Sequence, residues 1–226
     1  TLDIDAVQKK MPEWGIAPKA VVEGPPSRKA AILLRQTSFK ALNEVVSFEG
    51  EVGTHTARFG EIEQRGVALK PAGRALYDAC LAKTRARAAV GVTGEGAGDY
   101  MAALAADFAE MPDDIDTLRR DGLAYFKYRA KGGERPAAAT VEELINAGAL
   151  IADPQTYEDF LPVSAAGIFQ SNLGTDEQSN FATSSYREIL EAALGVTILD
   201  EQSLYAGREA ESLTQALTAL GQAHLI

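Results

Sequence analysis

The chain has 226 residues, 46% of them hydrophobic and 24% charged, a composition that fits one large or two small globular domains and excludes collagen, coiled-coil and disordered classes. Its 22 Lys and Arg stand against 32 Asp and Glu, a formal net charge of -10, so most of its surface would repel a nucleic acid backbone or an anionic membrane, and neither is expected as a partner. The lone Cys80 excludes an internal disulfide, no apolar run approaches the ~20 residues needed to cross a bilayer, and the start lacks both parts of a signal peptide. A cytoplasmic location is expected on these grounds. The first residue is Thr and no initiator Met precedes it, from which a processed or truncated polypeptide is expected.

Leu2, Ile4, Val7 and Met11 recur near helical spacing and predict a helix over residues 1–12, stopped by Pro12. Residues 14–24 read as a turn into a strand, and Gly24-Pro25-Pro26-Ser27 as a breaker. Stretches rich in strand formers at 31–39, 45–49 and 54–65 predict a curved antiparallel sheet. Pro71 opens a long Ala-rich helix over about 72–89, with Leu76, Cys80 and Leu81 apolar and the basic residues between Lys83 and Arg87 solvated. Four glycines within 91–98 read as a flexible connection and not a phosphate loop, because no strand feeds them and no Lys-Ser/Thr closes them.

A helix is predicted over 100–111, a strand over 123–129, and a short helix over 141–147 with Thr140 as its N-cap. Two amphipathic helices follow at 184–195 and 201–221, the second with Leu213, Leu217 and Leu220 on a stripe that packs on the sheet. The expected class is α+β, a curved mixed or antiparallel sheet with flanking helices and a helical C-terminus.

Chemistry is concentrated in two places. The polar stretch from Gly53 to Gly66 carries His55, Glu61 and Glu63. If it is extended, His55, Ala57, Phe59, Glu61 and Glu63 alternate onto one face, and Arg58, Ile62 and Gln64 onto the other. Glu61 and Glu63 are then roughly 6.6 Å apart and require a cation or a proton nearby. His55 and Glu61 lie on the order of 20 Å apart along a strand, too far to share one metal ion. A competing structural reading pairs Glu63 with Arg65 and Glu61 with an arginine such as Arg35 on a neighbouring strand.

His55 reads as a hydrogen-bonded structural histidine, with Gln36 and Ser38 as secondary candidates for lining a pocket. His224, three residues from the end, is set aside. The second place is the run of small residues from Phe160 to Gly174, where the backbone N–H groups of Val163, Ser164 and Ala165 and the Ser164 hydroxyl could hold a carboxylate. An ordinary tight turn packing Ile168 and Phe169 fits the same run equally well.

The runs ILLRQTSFKALNE (32–44), GTHTARFGEIEQRGVALKPAGRALYDACL (53–81) and EDFLPVSAAGIFQSNLG (158–174) resemble the 2-oxoadipate dioxygenase/decarboxylase family, also called 2-hydroxyglutarate synthase. The resemblance implies a fold of vicinal-oxygen-chelate type, in which curved βαβββ sheets wrap a metal. It also implies a non-haem Fe(II) centre of two His and one carboxylate, with open positions for a 2-oxo acid and dioxygen. Through it, Glu61 is expected to be the metal carboxylate, Glu63 to support it, and Val163 and Ser164 to hold the distal carboxylate of the substrate.

The expected reaction is oxidative decarboxylation of 2-oxoadipate to 2-hydroxyglutarate in lysine breakdown. The family's two histidine ligands match nothing in this chain, which therefore resembles the C-terminal half of a longer protein whose upstream half supplies them. Residues 1–90 are expected to be the later part of the metal-binding sheet domain plus the long helix, and 91–226 an α+β portion with the substrate loop. Two other readings remain: a vicinal-oxygen-chelate isomerase or lyase using another divalent metal, and a non-catalytic module that binds 2-oxo acids.

Overall fold

The computed structural model describes residues 3–91, 94–132, 138–158 and 191–226, with the backbone alone at 41–44, 46, 48, 54–59 and 61. The chain packs as two units, Thr1–Ala124 and Tyr125–Ile226.

In the first unit, helix α1 (Ile4–Lys10) begins where the Asp3 carboxylate accepts the N–H groups of Asp5 and Ala6 at 3.1 and 3.0 Å, and it buries Ile4. A 3₁₀ turn, Met11–Trp14, follows, with Pro12 near its start where a missing N–H costs nothing. Strands β1 (Ala17–Pro18), β2 (Leu34–Phe48) and β3 (Glu51–Arg65) form an antiparallel sheet in that order.

β2 and β3 are joined by Glu49 and Gly50, with φ of 45° and 93°; two positive φ angles give a hairpin turn whose twist matches the flanking strands. The separate stretches expected at 31–39 and 45–49 are thus parts of one strand. Residues 40–44, Lys-Ala-Leu-Asn-Glu, have weak strand preference of their own. Pairing of Lys40 with Arg58, Asn43 with Thr56 and Glu44 with His55 overrides it.

The ribbon carries two irregularities. Phe39 pairs with Phe59 and Thr37 with Ile62, so β3 holds one extra residue there; Lys40 pairs with Arg58 and Leu42 with Ala57, so β2 holds one extra. The first is a bulge at Gly60-Glu61, and the 79° φ of Gly60 is the left-handed conformation that a glycine-led bulge requires. Counting faces by twos from His55 to Glu63 therefore fails at position 60, which corrects the single-face grouping expected from sequence.

A methyl group on Gly60 would also lie 2.5 Å from Phe39 Cε1. Gly60→Ala is expected to lower stability by about 2 kcal/mol, from the left-handed backbone and the clash together. Urea denaturation checks this, and an unchanged midpoint would mean that the bulge relaxes freely.

Helix α2 (Pro71–Arg87) presents Gly73, Tyr77, Cys80 and Thr84 to the core. Gly73 lets the helix approach closely, since a Cβ there would stand 2.1 Å from the Leu123 carbonyl oxygen. The Tyr77 ring meets Phe108 edge-on at 5.3 Å, and burial pushes the Tyr77 hydroxyl up to about 12. Helix α3 (Ala97–Asp107) lies against α2: Asp107 accepts from Thr84 Oγ1 and pairs with Arg87, both at 2.8 Å. Helix α4 (Ile115–Arg120), not anticipated from sequence, is capped by Asp114 and buries Leu118. These contacts place residues 97–124 with the first unit, so packing divides the chain after Ala124 and not at 90/91.

In the second unit, β4 (Phe126–Ala130) pairs antiparallel with β5 (Leu150–Pro154), and helix α5 (Val141–Asn146) lies between them in sequence. The Thr140 side chain accepts the Glu143 N–H, as its capping role predicts. Helix α6 (Glu201–Leu220) covers this pair with the expected stripe: Leu217, Ala216 and Leu220 join Leu144 and Leu150 in the core, with Leu213 against it. It also closes the backbone of β4, because Glu209 accepts the Phe126 N–H at 2.9 Å and Ser212 the Tyr128 N–H at 3.0 Å. Among the described residues no helix is long and apolar enough to cross a membrane.

Candidate functional site

Glu61 occupies the bulge of β3, between the pairs Phe39–Phe59 and Thr37–Ile62. Beyond the Thr37–Ile62 pair the facing residues are polar, Gln36 with Glu63 and Arg35 with Gln64. Glu63 and Arg65 form the expected pair at 3.0 Å, half-buried. The Arg35 side chain is 3% exposed, and it donates to both Asp5 oxygens at 2.7 and 2.8 Å, to Gln64 Oε1 at 3.0 Å and to the Pro25 carbonyl at 3.0 Å.

The Arg35 guanidinium beside it, with the Ser27 hydroxyl at 2.8 Å, holds the Asp5 carboxyl below its usual range against the opposing effect of burial. Two residues along β2, Thr37 is 1% exposed and donates to Gln8 Oε1 at 2.7 Å. Asp5 and Gln8 are three apart on α1 and so share a side of the helix.

The remaining candidates divide by position. Gln36 exchanges backbone hydrogen bonds with Glu23, the Ser38 carbonyl accepts from Lys19 N–H, and both side chains are half-buried. His55 pairs with Glu44 towards the hairpin end of the ribbon. His224 is exposed in the final 3₁₀ turn, Ala223–Leu225. Val163 and Ser164 lie outside the described residues.

The sequence reading missed Asp5 and Gln8. Their signal was faint: a carboxylate and an amide spaced i, i+3 on a short helix, facing polar residues at i, i+2 of a strand.

A centre of two imidazoles and one carboxylate needs three donors. Among the described residues no group of three His, Cys, Asp or Glu side chains comes together. His55 is six residues from Glu61 along one extended strand, on the order of 20 Å. Neither His55 nor any other described side chain joins Glu61 in such a set of three.

The sequence profile of the family described as 2-oxoadipate dioxygenase/decarboxylase matches residues 1–172. The 2-oxoadipate dioxygenase/decarboxylase of Pseudomonas putida is 54% identical over 229 residues, covering 97% of this chain and 49% of its own length. The one from Escherichia coli K12 is 51% identical over 219 residues, covering 94% and 47%. The crystal structure of the Pseudomonas putida hydroxyglutarate synthase in complex with 2-oxoadipate superposes with a TM-score of 0.75 at 49% identity, covering 98% of this chain and 49% of that one. The chain spans about half the length of the curated relatives it matches. Its α+β fold of antiparallel sheets and helices is that of hydroxyglutarate synthase, and the chain belongs to the 2-oxoadipate dioxygenase/decarboxylase family.

Proposed function

We propose that this chain is the carboxylate-donating and substrate-binding portion of an Fe(II)-dependent enzyme that converts 2-oxoadipate and dioxygen to 2-hydroxyglutarate and carbon dioxide, a step of lysine breakdown. The observation that supports it best is the similarity to a hydroxyglutarate synthase solved with 2-oxoadipate, across 98% of this chain. The sheet around Glu61 is then part of a vicinal-oxygen-chelate fold, completed by an upstream half that carries the two histidines. The same reading places the reaction in the cytoplasm, in keeping with the lone Cys80.

Bound Fe(II) would supply the open positions at which a 2-oxo acid and dioxygen meet. The chain's own residues bind and orient. Glu61 offers a hard anionic oxygen from a bulge, a feature that re-aims a side chain beside active sites. Val163 and Ser164 hold the far carboxylate of the substrate through backbone N–H groups and a hydroxyl, and so measure its length. A shorter diacid would leave those donors unpaired, which is how such a site discriminates.

Atom balance gives the test. Losing one carbon as carbon dioxide removes two oxygens, and the product regains two, so the equation closes with one dioxygen molecule and no other oxygen source. With isotopically labelled dioxygen, the complete protein should yield 2-hydroxyglutarate carrying both labelled atoms; an unlabelled product would overturn the reading. Ser164→Ala is expected to weaken substrate binding by ~1 kcal/mol, about fivefold in KM, with metal content unchanged. Steady-state kinetics beside metal analysis checks this, and an unaltered KM would remove Ser164 from the substrate site.

A further inference from the structure

A chain of polar contacts runs from α1 through β2 to Gln64 of β3, three residues beyond Glu61. Asp5 meets Arg35 and Gln8 meets Thr37, two parallel links between one side of a helix and one face of a strand. Across the ladder, Arg35 opposes Gln64 and Thr37 opposes Ile62, the residues that follow the bulge. A helix–strand contact made only for burial would use apolar side chains. A buried guanidinium is costly unless every nitrogen is satisfied, and here Nε, Nη1 and Nη2 all donate.

The alternative register shows what the expense secures. If β3 continued from the Phe39–Phe59 pair without a bulge, Arg35 would stand opposite Glu63 and Thr37 opposite Glu61. That arrangement offers Arg35 a carboxylate directly across the ladder. Asp5 removes the incentive by occupying both of its Nη groups, Gln64 takes the position opposite, and Glu63 pairs with Arg65 instead. A slip of one residue would shift β3 by ~3.3 Å, beyond the reach of the Arg35–Gln64 hydrogen bond. A metal ligand has to be held within about 0.5 Å.

We propose that Arg35, held by Asp5 and acting through Gln64, is a positioning residue that fixes the bulged register and thereby sets Glu61 as a metal ligand. The proposal rests on Glu61 being that ligand. Co(II) alone is the probe, added to the complete protein, with its affinity and visible absorption measured beside thermal unfolding and the split between kcat and KM. Gln64→Met removes the acceptor on β3, and Gln64→Glu keeps it.

Gln64→Met is expected to weaken Co(II) binding about tenfold or more, change the absorption envelope and lower kcat more than it alters KM, while Gln64→Glu restores near-native binding. Arg35→Lys should follow Gln64→Met, since a point charge cannot replace the fork. Unchanged Co(II) affinity and spectrum in Gln64→Met, with binding lost in Glu61→Gln, would overturn the positioning role and leave the ligand assignment standing. Retained Co(II) binding in Glu61→Gln would overturn both.

Discussion

Glu61→Gln in the complete protein is expected to abolish turnover and to empty the metal site while the fold survives. The amide is nearly the same size as the carboxylate, so packing at the bulge is preserved, but it is neutral and a much poorer ligand for Fe(II). The loss should exceed the ~100-fold that removal of a supporting hydrogen bond reaches, because the donor atom itself is changed. Metal content, activity and a thermal unfolding curve on the same preparation check it. Turnover at the unaltered rate would sink the ligand assignment, and loss of the cooperative unfolding transition would mean that Glu61 has a structural role.

The largest effect on stability is expected from Asp5→Ala. It leaves the Arg35 guanidinium, 3% exposed, without its carboxylate partner. Breaking a buried pair by removing one member costs about 3–5 kcal/mol, and the low end applies because Asp5 is itself half exposed. The same pair predicts a pH dependence. Because the folded Asp5 carboxyl titrates below its ordinary 3.8, the stabilisation is fully present above that value and disappears as pH falls through the lower folded one. Urea midpoints measured across this acid range should decline more steeply in the unaltered protein than in Asp5→Ala. Parallel declines would show that other carboxylates dominate acid unfolding.

Elements set by local signals were legible in the sequence. Pro71 opening α2, Thr140 capping α5 and the Leu213, Leu217 and Leu220 stripe of α6 all appear where their chemistry places them. The Glu63–Arg65 pair was legible for the same reason, since its members are two residues apart on one strand. Features set by distant partners were not. Continuity of β2 through Lys-Ala-Leu-Asn-Glu depends on β3, and the bulge depends on which residue of β2 each residue of β3 meets.

The Asp5 partner of Arg35 was not legible, because it is 30 residues away on a helix whereas the sequence drew attention to the neighbouring strand. The candidate site divides along the same line. Resemblance singles out Glu61, Val163 and Ser164, but only the ladder register reveals that Glu61 sits in a bulge and that a buried arginine faces Gln64 three residues further on.

The central claim, that this chain forms part of a 2-oxoadipate-specific oxygenase, is tested most directly by oxygen uptake. The complete protein, given Fe(II), should consume dioxygen rapidly with 2-oxoadipate and far more slowly with the shorter 2-oxoglutarate. No uptake with either acid, or equal uptake with both, would contradict it.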